Sequence, residues 1–371
     1  MSLIITTIFL IATAVQLFYW LLIFAQLALF ETPAKEIEPR KDKQQGVSII
    51  ICAKNEAENL ARNMPRILNQ NYRSFEVIVV NDNSSDNSEK VLTYLQKKYS
   101  CLNIINFVNK NKSQVGKKFA LAKGIEAAKH EVLLLTDADC RPASAEWLRK
   151  MQTVLVGTIQ IGLGYAPYDE APGFLNKFIR FEAIYTAVQY FSFALTGRAY
   201  MGVGRNLIYR KKLFHSANGF KNHENLASGD DDLFVNKVAG KDNVGIVLDG
   251  DTFMFSPPKK GWKEYIRQKS RHLSTGRWYK FRHQLILGLL SVSHFLHYAT
   301  AVIIILKFST IFAMLGYAVR MSVLFILYAR ILKRFQDASL LKWIPLLDAI
   351  YVFYYVLLAP VVFFGKTKKW K

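Results

Sequence analysis

Three short acidic clusters stand where apolar runs end: Asp82 in VIVVNDNSSD, Asp137-Ala138-Asp139 in EVLLLTDADC, and Asp230-Asp231-Asp232 in SGDDDLF. Hard carboxylate oxygens gathered in one crevice suit Mg²⁺ or Mn²⁺, and such a cation can hold a diphosphate. Asp139 follows an apolar run and precedes Arg141-Pro142, which puts it on a loop with Asp137 beside it. The competing role for such acids is to turn the chain or cap a helix. Asp82 has the same two readings: an N-cap within NDNSSDNS, or an acceptor for a nucleobase N–H or a ribose hydroxyl. Lys117 in GKKFAL opens a helix, where a lysine and unpaired backbone N–H groups favour an anion; the alternative is a solvated helix end. Three adjacent carboxylates repel one another, and the dipole of the helix that follows Asp230-Asp231-Asp232 offsets part of that. The cluster is either a set of caps or a general base whose neighbours raise its pKa. Gln268-x-x-Arg271 could set an amide and a guanidinium beside a phosphate.

The elements that position these residues alternate. GVSIIICA, FEVIVVND, CLNIINFV and EVLLLTDAD read as strands. Between them NEAENLARNMPRILNQ, SEKVLTYLQKKY and GKKFALAKGIEAAKH read as helices, the first starting near Asn55. Continuous apolar runs such as VIVV and VLLL suit strands covered on both faces, and the alternation implies a parallel, Rossmann-like sheet. Ligands of such sheets bind beyond the carboxyl ends of the strands, where the acids lie. Residues 171–200 are mostly helical in pattern, and GVGRNLIYRKKLF is a strand running into a helix.

The 371 residues are 51% hydrophobic yet carry a formal net charge of +21. That pairing argues against a soluble enzyme, and it places the excess Lys and Arg beside membrane spans and anionic lipid rather than on nucleic acid. Residues 2–30 contain no charge and form an expected N-terminal transmembrane helix (domain 1–31), too long for a signal-peptide core. Lys35, Arg40, Lys41 and Lys43 follow it, so the positive-inside bias puts residue 31 onward in the cytoplasm. Residues 261–283 form a basic amphipathic, interfacial segment, and 284–365 hold two or three transmembrane helices. A third full span would leave the tail GKTKKWK outside, against the charge bias. Cys52, Cys101 and Cys140 are too sparse for a disulfide framework or a zinc site. Too few spans exist for a transporter.

In this order and spacing VSIIICAKNEAENL, VIVVNDNSSDNS, GKKFAL, LLLTDADC, SGDDDLF and QKSRH resemble the membrane-embedded family 2 glycosyltransferases, the cellulose- and hyaluronan-synthase-like branch. The resemblance implies a GT-A fold over 45–260, a mixed α/β sheet flanked by helices. It implies that Glu56, Asp82, Lys117 and Asp137 hold the nucleotide sugar and that Asp139, with Asp137, holds Mg²⁺ or Mn²⁺. The family's Glu-Asp pair is here Asp230-Asp231, with Asp231 as base; a register one residue earlier would make Asp230 the base. The family's QxxRW appears as Gln268, Arg271 and His272, with His in place of the aromatic beside the acceptor and diphosphate. The implied activity is inverting, metal-dependent transfer from a nucleotide sugar to a lipid or glycan acceptor at the cytoplasmic membrane. The alternative is a transferase-like subunit that binds nucleotide sugar as a scaffold.

Overall fold

The computed structural model describes residues 2–31, 45–107, 116–221, 226, 228–307 and 310–364. The basic residues Lys35, Arg40, Lys41 and Lys43 and the tail 365–371, on which the expected orientation rests, lie outside them. The uncharged N-terminal segment is one helical run: α1 (Ser2–Phe18), a π-helical stretch (Tyr19–Phe24) and α2 (Ala25–Leu29). The alternating region follows as β1 (Val47–Ala53), α3 (Ala57–Leu68), β2 (Phe75–Asp82), α4 (Ser88–Lys98), β3 (Leu102–Phe107), α5 (Lys117–Ala127) and β4 (Val132–Asp137). Every residue of β1 is buried, as are seven of the eight in β2, which is why these strands read as apolar runs rather than alternations.

Four strands, in the order β3-β2-β1-β4, are parallel. Beyond β4 the sheet changes character. After the two-residue β5 (Arg141–Pro142) and short α6 (Trp147–Gln152) come β6 (Ile161–Gly164), α7 (Phe174–Leu195), β7 (Leu207–Arg210), α8 (Lys211–Ser216), α9 (Asp232–Val238) and β8 (Val244–Val247). β7 runs antiparallel to both β4 and β6, and β8 is parallel to β6, giving seven strands in the order β3-β2-β1-β4-β7-β6-β8. The sheet is therefore mixed, as the resemblance implies and the strand–helix alternation alone does not. β9 (Met254–Phe255) pairs with β5 in a separate ribbon.

α10 (Trp262–Leu273) leads into three apolar helices, α11 (Phe281–Lys307), α12 (Thr310–Arg334) and α13 (Ile344–Phe364). With the N-terminal run, they make four segments long and apolar enough to cross a membrane. These helices and the sheet share one apolar core, which joins Ile50 and Leu135 of the strands to Trp20, Tyr185 and Tyr328. A buried polar cluster ties the apolar helices together. Arg320 Nη1 lies 2.6 Å from Asp348 Oδ2, Arg320 Nη2 donates to Gln16 Oε1 at 3.1 Å, and Tyr298 Oη donates to Asp348 at 2.8 Å. One residue comes from each of α1, α11, α12 and α13, so the charge pair is hydrogen-bonded across four helices where water is scarce.

Candidate active site

Strand register sets the site. Cys52 of β1 lies opposite Asp137 of β4, and Ala53 lies opposite Asn81 of β2, so Asp82 and Asp137 flank the carboxyl end of β1. A cavity of about 1000 Å³ opens at these ends. Glu56, Lys117, Asp137, Asp139, Asp230, Asp231, Gln268, Arg271 and His272 all line it. Of the residues expected from the sequence, Asp82 alone does not.

Asp82 is the last residue of β2, only 2% exposed, and its Oδ2 is buried without a hydrogen-bond partner. Burial pushes its carboxyl up, against the pull of Lys54. The N-cap reading of Asp82 fails, because Asp86 takes that role. Asp86 accepts from the backbone N–H groups of Ala57 at 3.0 Å and Ser88 at 2.9 Å, joining the starts of α3 and α4. Glu56 precedes α3 and accepts from Asn59 at 2.6 Å.

Lys117 is the first residue of α5, entered through Gly116 at φ 142, a conformation open to glycine. It is not a solvated helix end. Its Nζ lies 2.8 Å from Asp137 Oδ1 and 3.0 Å from Asp230 Oδ2, bridging the second and third acidic clusters. Burial alone would lower the ammonium, but Asp137, Asp230 and Asp231 outweigh it and hold Lys117 well above its ordinary range.

Asp137, Asp139 and Cys140 bring ligand atoms within 4.8 Å of one another. Burial and the Asp137 charge push the Asp139 carboxyl up, with Arg205 opposing. Two close carboxylates, one of them resisting ionisation, are an electrostatic fit for a divalent cation. Cys140 has a different role: its thiol is buried, pushed well above its ordinary value and aimed at Asp139 Oδ1 at 3.4 Å. That leaves hard oxygen donors, suited to Mg²⁺ or Mn²⁺.

The three adjacent acids of the last cluster separate by partner. Burial would raise Asp230, but its ion pair with Lys117 prevails and lowers it. Asp232 accepts from Thr275 Oγ1, from Tyr279 Oη at 2.8 Å and from the Leu233 N–H at 2.7 Å, which ties α9 to the segment after α10. Asp231 caps α9, accepting from the Asp232 N–H at 2.8 Å and from the Gly204 N–H at 2.7 Å. Burial, then Asp230 and Asp232, push its carboxyl up to about 7. A fixed carboxylate titrating near neutrality has the properties of a general base. Gly204 matters sterically, since a Cβ there would stand 3.2 Å from Asp231 Oδ2.

α10 presents Gln268, Arg271 and His272 to the same cavity. Burial among Lys269, Arg271, Arg205 and Lys117 holds the His272 imidazole well below its ordinary range, so it stands there neutral. Three contributors escaped the sequence reading. Glu182 of α7 pairs with buried Lys269 of α10. Arg205 stacks over Tyr168 at 4.5 Å and donates to Ser256 Oγ beside Asp139. Gly204 is the third; the two glycines of GVGRN were its one sequence signal.

Residues 48–216 match the family described as glycosyl transferase family 2. The match ends before Asp230 and before α10, so those residues stand on geometry. The poly-beta-1,6-N-acetyl-D-glucosamine synthase of Staphylococcus epidermidis is 28% identical over 116 residues, 31% of this chain and 25% of that protein. The glycosyltransferase AglE of Haloferax volcanii is 31% identical over 114 residues, 30% of this chain and 36% of that one. The aligned part thus spans between a quarter and two-fifths of the length of these relatives. A mannosyltransferase of Pyrobaculum calidifontis, solved in complex with GDP-Man and Mn²⁺, superposes with a TM-score of 0.58 at 16% identity, over 94% of this chain and 99% of that one. At that identity the likeness is one of fold.

Proposed function

We propose, from the premise that residues 48–216 are a glycosyl transferase family 2 domain, that this glycosyltransferase moves a sugar, with inversion, from a nucleotide-sugar donor to a lipid-linked or glycan acceptor. The donor is of the UDP-sugar class, the reaction needs Mg²⁺ or Mn²⁺, and the catalytic domain works at the cytoplasmic membrane face in cell-surface polysaccharide or glycolipid synthesis. The observation that carries this reading is one cavity in which Lys117 bridges Asp137 and Asp230 while Asp231 stands fixed beside them. Asp139 and Asp137 would hold the metal, which supplies electrostatic stabilisation to the departing diphosphate. Glu56 at the cavity wall is placed to meet the nucleoside, whereas Asp82, buried at the end of β2 and outside the cavity lining, is not. Lys117 and Arg271 add positive charge for the diphosphate, and Gln268 and His272 lie on the same helix face. Asp231 takes the proton of the acceptor hydroxyl as that oxygen bonds to the anomeric carbon.

The test is a panel of nucleotide sugars offered to the purified protein with Mg²⁺ or Mn²⁺, reading nucleoside diphosphate release. Release that EDTA abolishes and Mn²⁺ restores is expected. Metal-bound nucleotide with no release from any donor in the presence of membranes would favour the scaffold alternative.

A further inference from the structure

The cavity does not stop at the carboxylates. From Asp231 it continues past the Glu182–Lys269 pair and runs between α11 and α13. Leu287, Ser291 and Phe295 line it from α11 and Tyr351, Tyr355 and Ala359 from α13, each set at four-residue spacing along one helix face. Eight residues of rise make each stripe ~12 Å long, a large fraction of the ~30 Å hydrocarbon core. Both stripes lie inside segments apolar enough to cross a membrane. Their side chains carry no charge, and the Ser291 hydroxyl is already donated to the Leu287 carbonyl at 3.0 Å.

Two backbone features mark the wall of this cleft. Gly288 stands within α11, where glycine costs ~0.5–1 kcal/mol relative to alanine, yet a Cβ there would meet no atom within 4 Å. Packing against protein therefore does not require the glycine, and at this point the cleft wall carries no side chain. Pro360 lies inside α13 and cannot donate to the Val356 carbonyl; both residues line the cavity. Irregular backbone at membrane depth is tolerated where it faces a cavity.

We propose that the acceptor is a membrane lipid with a free headgroup hydroxyl, its apolar tail seated between α11 and α13 and its hydroxyl presented to Asp231. This rests on the transferase reading above and narrows its acceptor. Leu287, Val292, Phe295 and Val356 offer a glycan's hydroxyls no partner, which leaves them only the tyrosines of α13 along the cleft. A lipid phosphate, as its dianion, would bring Asp231 no proton to take. In the step, the lipid oxygen bonds to the anomeric carbon and the bond from that carbon to the diphosphate oxygen breaks. Its electron pair leaves with the nucleoside diphosphate, and the hydroxyl proton goes to Asp231.

The test uses full-length protein in phosphatidylcholine nanodiscs with a diacylglycerol carrying a diazirine in its tail. Photolysis is expected to label peptides of α11 and α13. Gly288→Trp, which fills the cleft, should cut that labelling by ~tenfold or more (~1.4 kcal/mol), with unchanged nucleotide affinity showing that it has folded. Leu289→Trp, which points away from the cavity, should label like the wild type. In membranes with radiolabelled donor, the sugar should enter the organic-extractable fraction, and Gly288→Trp should lower it by the same factor. Labelling outside α11 and α13, or water-soluble glycan formed equally by Gly288→Trp, would overturn the lipid assignment. Failure to release diphosphate from any donor would instead overturn the transferase reading, while the photolabelling still reports on the cleft.

Discussion

Asp231→Asn tests the proposed base apart from everything else in the cavity. The wild-type carboxyl, held at about 7, is ionised in about one molecule in eleven at pH 6 and ten in eleven at pH 8. Only the ionised form accepts a proton, so kcat/KM should rise ~tenfold across that interval and then level off. Asparagine cannot take the proton, and losing a placed base costs ~10²- to 10⁴-fold, or ~2.7–5.5 kcal/mol in the barrier. The residual rate of Asp231→Asn should lose the rise with pH. Its nucleotide affinity should change little, because Asp137, Asp139 and Lys117 are untouched. Asp230→Asn is the companion: it removes the neighbour that most raises Asp231 after burial, so its pH midpoint should move to lower pH. Stopped diphosphate-release assays from pH 5.5 to 9 on the three proteins read all of this. An active Asp231→Asn beside a dead Asp230→Asn would refute the assignment and restore the other register.

Gly204→Ala would place a methyl 3.2 Å from Asp231 Oδ2 and displace the carboxylate; kcat should fall ~10- to 100-fold with KM for the donor unchanged. Lys117→Met leaves Asp137 and Asp230 without their shared cation. Breaking such a pair costs ~3–5 kcal/mol when fully buried and less here, so a lower Tm and weaker nucleotide binding are expected. Because Lys117 also holds Asp231 down, the pH midpoint of any residual activity should move to higher pH. In the apolar helices, Asp348→Leu strands the Arg320 charge and should lower the detergent melting temperature sharply, whereas Arg320→Met with Asp348→Leu should recover most of it. A double variant no more stable than the single would show that the pair is not the source.

The first half of the fold is legible because its strands are buried on both faces and its helices start at recognisable turns. The ends of β1 and β2 follow from GVSIIICA and FEVIVVND to the residue, whereas β4 stops at Asp137, two residues short of the end expected from EVLLLTDAD. The antiparallel β7 is not legible from its own sequence: LIYR has no feature that sets its direction, and its place beside β4 depends on the long excursion through α7. Asp82 and Asp86 share one turn-rich stretch; Asp86 accepts locally from Ser88 at the start of α4, and its second bond, to Ala57 of α3, is tertiary and not written in that stretch. The partnership of Lys117 with Asp230 spans 113 residues, so no local pattern encodes it. The choice of base rests on that pair and on the Gly204 N–H. Likewise the basic pattern of α10 is visible, but the burial of Lys269 against Glu182 is not.

The account depends most on the strand-end acids binding a metal together with the nucleotide. Calorimetric titration of UDP into wild type, Asp137→Asn and Asp139→Asn, each with and without Mn²⁺, tests that without any turnover. Mn²⁺ should tighten UDP binding to the wild type by ~tenfold or more, ~1.4 kcal/mol, and should do little for either variant. Equal tightening in all three proteins, or none in the wild type, would contradict the assignment of this crevice.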